Sequence, residues 1–311
     1  MEKRRFIALL LAAMFGGPLP AVGASAQQEP LLVVYPAPES PDDKRDLDMQ
    51  ELLKLALDHT VASHGPYRLQ ASEPMNENRY RASLRHGVKI SLAWLSVTAE
   101  TERDFLPVRI PLRRGILGYR VFIIRKQDQA RFAAIHSASQ LKALRMGQGT
   151  GWNDVPLLRA NGFNVAIGAS YASLFEQLAN GRVDYLSRGI NEAWQEVAAF
   201  RAQYPELMVG PTLMLYYPWP KYLYVNRKDR ALAQRLQLGL TLAQQDGSFE
   251  QLFRRYHQQD IGRADFARRQ VFCVDNQLFP NGFPAESQRW WFRPDESFPC
   301  LGPAASPDKK Q

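Results

Sequence analysis

From Leu31 to Tyr256 the chain alternates short apolar runs with amphipathic ones, and that alternation narrows the folds open to it. Leu31 to Tyr35 is a continuous apolar run ending in Pro36-Ala37-Pro38, the pattern of a buried strand and its turn. Asp48 can cap a helix in which Met49, Leu52, Leu53, Ala56 and Thr60 follow helical spacing, with Gly65 as a natural stop. A strand over Tyr67 to Ala71, a short helix near Asn76 to Leu84 and a strand over Val88 to Leu95 follow. Such alternation predicts an α/β lobe with a mainly parallel sheet.

A second lobe is expected from about Gly115. Its strands read as Tyr119 to Ile124, a run ending at Gly147, Val165 to Gly168 and Arg182 to Leu186. Its helices read as Ser137 to Leu144, a segment from about Asn153, Ala172 to Ala179 and Asn191 to Tyr204. The break at Pro211 and the stretch Tyr216-Tyr217-Pro218-Trp219-Pro220 look like a return crossing. A strand over Tyr222 to Asn226 leads to a helix over Ala231 to Gln245, with Leu232, Leu236, Leu240 and Ala243 on one face. Asp246-Gly247 ends it. Ser248 starts another helix, with Gln251 in capping-box position and an apolar stripe of Phe249, Leu252, Phe253 and Tyr256.

The N-terminus carries Lys3-Arg4-Arg5, then an apolar run from Phe6 to Phe15, then Ala24-Ser25-Ala26. A basic start, a short apolar core and a small-x-small site make a secretory signal peptide, with cleavage expected after Ala26 and a periplasmic destination. No later segment approaches the ~20 apolar residues of a membrane helix. In an oxidising compartment the two cysteines, Cys273 and Cys300, are best read as one disulfide. It would stabilise the fold by roughly 3–4 kcal/mol.

The chain has 39 Lys and Arg against 31 Asp and Glu, a net charge of +8, which suits an anionic ligand or surface. The charge is scattered, and no basic helix or aromatic-studded strand motif points to nucleic acid. No G-x-S-x-G turn or H-E-x-x-H helix is present. The histidines at 59, 64, 86, 136 and 257 show no ligand spacing, so neither metal nor cofactor is expected.

One segment carries a chemical signal. In Ser96-Val97-Thr98-Ala99-Glu100-Thr101-Glu102-Arg103, a hydroxyl at 98 and a guanidinium at 103 leave a strand together and could grip one carboxylate. This turn resembles the "T-x-T-x-x-R" signature of bacterial extracellular solute-binding proteins of family 3, although Glu100 replaces the second Thr. The closing strand, helix and "D-G-S/T-F/Y-x-x-L/I" segment is similar to that family as well. The resemblance covers roughly residues 31 to 260.

It implies a type II periplasmic-binding fold: two α/β lobes joined by two crossing segments, with the ligand in the cleft between them. The crossings would fall near 112–116 and 212–218. Lobe one would be 27–114 plus 218–260, and lobe two 115–217. Residues 261–311, with Arg289-Trp290-Trp291-Phe292 and the disulfide, would be an extension packing on lobe one.

In that family the first Thr and the Arg bind the ligand's α-carboxylate, which carries the roles to Thr98 and Arg103, with Ser96 at the head of the turn. The family's "G-T-G" from lobe two carries over to Thr150 and Gly151. Trp152, which follows, either stacks on the ligand or closes the core between the lobes. Members that bind α-amino acids usually place an ammonium-holding Asp where this chain has Gly189, preceded by Arg188. Glu192 or Glu39 could replace it, or Arg103 and Arg188 could together hold a dicarboxylate. Tyr35, Trp94 and Tyr171 stand near strand ends that open toward the expected cleft.

The expected function is therefore binding without catalysis. A monomer would capture a small carboxylate-bearing metabolite by lobe closure. An ABC permease or a membrane sensor would read the closed form. Two alternatives stay open at this point. One is an enzyme similar to periplasmic cyclohexadienyl dehydratases, with Glu192 as general acid. The other is an interaction module without a small ligand.

Overall fold

A computed structural model describes residues 29–38, 46–277, 290–295 and 298–300. The expected signal peptide and Glu39 lie outside the described residues. The first half of lobe one runs β1 (Leu31–Tyr35), α1 (Leu47–Asp58), α2 (Val61–His64), β2 (Tyr67–Ala71), α3 (Glu77–His86), β3 (Leu92–Ser96), α4 (Ala99–Asp104) and β4 (Phe105–Val108). Lobe two follows as β5 (Tyr119–Arg125), α5 (Gln129–Ala133), α6 (Ala138–Ala143), β6 (Arg145–Gly149), α7 (Val155–Ala160), β7 (Asn164–Gly168), α8 (Tyr171–Ala179), β8 (Tyr185–Gly189), α9 (Ala193–Ala199), β9 (Leu207–Val209) and β10 (Leu213–Tyr216). The chain then continues through β11 (Lys221–Asn226), α10 (Arg230–Gln245), α11 (Ser248–Ala264) and β12 (Gln270–Cys273).

The α/β reading holds, but the sheet of lobe one differs from the parallel one expected. β1 and β2 pair in parallel, whereas β3, β11 and β4 form an antiparallel sheet in that order. The antiparallel part arises because the strand returning from lobe two, β11, runs between two strands of the first half. The Ser91 amide donates to the Val34 carbonyl (2.8 Å) and so joins the two parts edge to edge. β3 starts at Leu92 rather than Val88 because Lys89 sits at φ 63°, a left-handed conformation that interrupts extended backbone.

The core of lobe one follows the periodicity of the sequence. Met49, Leu52, Leu53, Ala56 and Leu57 of α1 pack with Leu232, Leu236, Leu240 and Ala243 of α10 over the sheet. Each fully buried Leu or Met contributes about 1.5–3 kcal/mol. Lobe two is a larger sheet ordered β12-β10-β5-β8-β6-β7, with β9 also on β5. Leu174, Phe175 and Leu178 of α8 cover one face, and Phe132, Leu141 and Leu158 cover the other.

Two segments pass between the lobes. Leu112 belongs to the lobe-one core and Ile116 to that of lobe two, so the first crossing lies between them. The second is Tyr217 to Pro220, between β10 in the large sheet and β11 in the small one.

The C-terminal extension does not stay on lobe one. β12 adds in parallel to β10 at the edge of lobe two, and Cys273 bonds Cys300 there (Cα–Cα 5.4 Å). Trp290 packs in the lobe-one core, whereas Phe292, Phe298 and Cys300 pack in that of lobe two. Between them the Phe292 amide donates to the Arg114 carbonyl (2.8 Å), and the Tyr119 hydroxyl donates to the Phe292 carbonyl (2.7 Å). The reason is aromatic matching: Tyr119 of β5 meets Phe266 and Phe292 in T-shaped contacts and Phe298 in a tilted one.

Candidate functional site

A cleft of about 960 Å3 opens between the lobes, lined by both. Lobe one contributes Ser96 from the end of β3 and Lys221 from the start of β11. The two are directly opposite in the antiparallel ladder, so they project to the same side of the sheet. Trp94, also lining the cleft, donates its indole N–H to Asp46 Oδ2 (2.9 Å) and packs against Tyr35 (6.0 Å between rings). Tyr35 itself is half-buried in the lobe-one core behind that wall.

The floor of lobe one is a buried guanidinium held by acids. Arg113 donates through Nε and Nη2 to both oxygens of Asp48 (2.6 and 2.7 Å), a fork-to-fork pair, and through Nη2 to Asp46 (3.2 Å). His257 of α11 lies 3.1 Å from Asp48 through Nε2. Burial works to raise the carboxyl of Asp48, but Arg113 and His257 outweigh it and hold it well below the ordinary carboxylate range.

Lobe two presents a second charged floor. Arg188, within β8, donates from Nε to Glu196 Oε2 (2.7 Å) and from Nη2 to Glu196 Oε1 (2.5 Å). It also stands 3.3 Å from Glu192 and stacks over Trp152, 4.3 Å from the ring centre. Arg120 of β5 donates to Asp154 (3.1 Å), which also accepts from the Tyr217 hydroxyl (2.7 Å). Trp152 takes this place because residue 149 is glycine: a Cβ there would sit 2.4 Å from the indole.

Several expected site residues lie elsewhere. Thr98 caps α4, accepting from the Thr101 amide (3.1 Å), and Thr101 answers by accepting from the Thr98 amide (2.8 Å). That capping box makes Thr101 the inward residue. It is buried, with its hydroxyl on the Ser96 carbonyl (3.1 Å). Arg103 stands two residues on, about 200° round the helix, and therefore faces out. Its side chain is 69% exposed and pairs with neighbouring Asp104 (2.8 Å). Neither Thr98 nor Arg103 lines the cleft.

Thr150 is exposed and spends its hydroxyl on the Gly168 carbonyl (2.8 Å), while Gly151 and Trp152 do line the cleft. Glu192 lines it too, yet it is not a free acceptor. Its carboxylate takes the Gly189 amide (3.0 Å) and lies beside Arg188 and Arg120 (3.7 Å). Burial alone would raise its carboxyl; the two guanidiniums dominate and keep it ionised. Position 189 has no room for an acid, since a Cβ there would come within 2.8 Å of both Leu117 and Asn191 Oδ1.

Sequence reading missed Lys221, Arg113, Asp46, Asp48, Arg120, Asp154, His257 and Asp260. Their signal was weak because they are scattered over the start of α1, the first crossing, β5, the segment before α7, β11 and α11, and no spacing links those segments before the lobes assemble.

No protein-family model matches the chain, and no curated protein sequence matches it. Solved structures match it in fold. YtmK of Bacillus subtilis, a probable amino-acid ABC transporter extracellular-binding protein, aligns with a TM-score of 0.53 at 14% identity, over 73% of this chain and 97% of that one. YckB of Bacillus subtilis aligns at 0.52 and 19%, over 79% and 97%. AbpA, an amino-acid ABC transporter substrate-binding protein of Streptococcus pneumoniae, aligns at 0.51 and 18%, over 74% and 95%. The chain shares the two-lobed α/β fold of these structures.

Proposed function

We propose that this chain is an exported solute-binding protein that captures a small polar, amino-acid-like ligand by closing its lobes, for delivery to an ABC permease. The observation that carries the reading is a single cleft walled by both lobes, with Ser96 and Lys221 side by side on one wall and Trp152 on the other. Its volume, about 960 Å3, lies at the upper end of the range for small-molecule sites. Lys221 has no ion-pair partner among the described residues, so its ammonium is available to a ligand carboxylate, with the Ser96 hydroxyl beside it. In this reading Lys221 and Ser96 take the carboxylate-binding role that the family resemblance implied for Thr98 and Arg103.

A dicarboxylate is less favoured. Arg113, Arg120 and Arg188 are each already matched by protein carboxylates, and among the described lining residues acids outnumber Lys and Arg by seven to four. A ligand carrying a cationic nitrogen beside its carboxylate fits that balance, and AbpA was solved bound to L-arginine. The dehydratase-like reading loses its general acid, because Glu192 is held ionised between Arg188 and Arg120.

The experiment is thermal unfolding of the oxidised protein against amino acids, amines and carboxylates, since a ligand bound to the native state raises the midpoint. A concentration-dependent rise for a carboxylate-bearing compound, absent in Lys221→Met, supports the reading. A protein stabilised by none of them, or equally stabilised in Lys221→Met, overturns it.

A further inference from the structure

Building on the reading of the cleft as a ligand site, we infer that Asp260, on α11, is the acceptor for the ligand's cationic nitrogen. The cleft's other acids are spoken for. Asp46 accepts from Trp94 and Arg113, Asp48 from Arg113, and Asp154 from Arg120 and Tyr217. Glu192 and Glu196 face Arg188. Glu77 is largely exposed beside Arg81. Asp260 alone among the lining acids has no hydrogen bond or ion pair among the described residues, although it is only 5% exposed.

Its position on the helix sharpens the point. The buried residues of α11 are Phe249, Phe253, His257, Asp260 and Ala264, one continuous stripe at helical spacing. An acid in that stripe stands where an apolar side chain would add stability. A buried carboxylate without a partner is costly. Burial accordingly raises the carboxyl of Asp260, against the opposing pull of His257 and Arg263. A ligand ammonium or guanidinium reaching Asp260 would give it the counter-charge that the protein withholds. This also answers the departure at Gly189: the acceptor moves from the end of β8 to a helix that packs along the crossing side of the cleft, because residue 189 has no space for one.

The test uses four probes of one length: L-lysine, L-norleucine, 6-aminohexanoate and hexanoate, titrated calorimetrically into the wild type and Asp260→Asn. The amine-bearing members that bind the wild type more tightly than hexanoate should weaken by about 30-fold or more in Asp260→Asn. Hexanoate should be unchanged, and the unliganded variant should melt no lower than the wild type. Affinities within about twofold across all four probes would overturn the inference while leaving the carboxylate site standing. If no probe binds the wild type, the carboxylate reading fails, and 1,5-diaminopentane decides Asp260 by itself. A rise in the wild-type melting midpoint that Asp260→Asn abolishes supports the cation site; a rise in both proteins or in neither overturns it.

Discussion

Two strand-to-helix turns face the middle of this molecule, and they treat their arginines in opposite ways. After β3 the chain turns into α4 with Arg103, which is 69% exposed and bonded to its neighbour Asp104. At the end of β8, before α9, stands Arg188, buried, stacked on Trp152 and gripped by Glu196. The difference is one of backbone period. Arg188 belongs to a strand, where alternation fixes its side toward the cleft. Arg103 belongs to a helix whose phase is set by its cap, and with Thr98 as cap the inward position falls on Thr101. The same residue type near the same kind of turn becomes a wall of the cleft in one lobe and a solvated charge in the other. Lobe one does have a buried guanidinium of its own, but it is Arg113 in the first crossing, paired with Asp48.

The comparison is broken most severely by Arg188→Ala. The change leaves Glu196 buried without its counter-charge, and a loss of about 3–5 kcal/mol is expected in denaturant unfolding. In lobe one, Asp48→Asn should cost about 3 kcal/mol at neutral pH by weakening the grip on Arg113. Because the folded carboxyl of Asp48 lies below its unfolded value, its contribution is complete above about pH 4 and fades as pH falls further. The gap between wild type and Asp48→Asn should therefore narrow in acid, which melting curves from pH 7 down to pH 2 would reveal. Thr98→Ala removes a helix cap and should cost about 1 kcal/mol, with ligand affinity unchanged. Arg103→Ala should be the mildest, with an unfolding midpoint indistinguishable from that of wild type in the same measurement.

The architecture was legible because apolar periodicity reports burial, and burial follows from local sequence. The runs at 31–35, 119–124 and 222–226, and the stripes of α1 and α10, form strands and helices where the pattern puts them, although β1, expected to be buried, leaves Leu31 and Leu32 exposed. Lobe one's antiparallel sheet was hidden because β11 arrives from beyond lobe two, more than a hundred residues after β3. The site was legible only in part. Gly151, Trp152, Arg188, Glu192 and Ser96 do line the cleft. Thr98 and Arg103 do not, because the cap at Thr98 sets the phase of α4 so that Thr101 faces inward and Arg103, two residues and about 200° further on, faces out. Lys221, Asp48 and Asp260 could not be read locally, since what makes them notable is who stands beside them across the fold. The extension shows the same limit: its aromatic residues were visible, but their division between the two lobes was not.

The central claim is that the ligand's carboxylate meets Lys221 beside Ser96, and not Arg103. Calorimetric titration of one ligand into wild type, Arg103→Ala and Lys221→Met tests it directly. Wild-type affinity is expected in Arg103→Ala, and a loss of about tenfold or more in Lys221→Met. Affinity lost in Arg103→Ala and kept in Lys221→Met would contradict it.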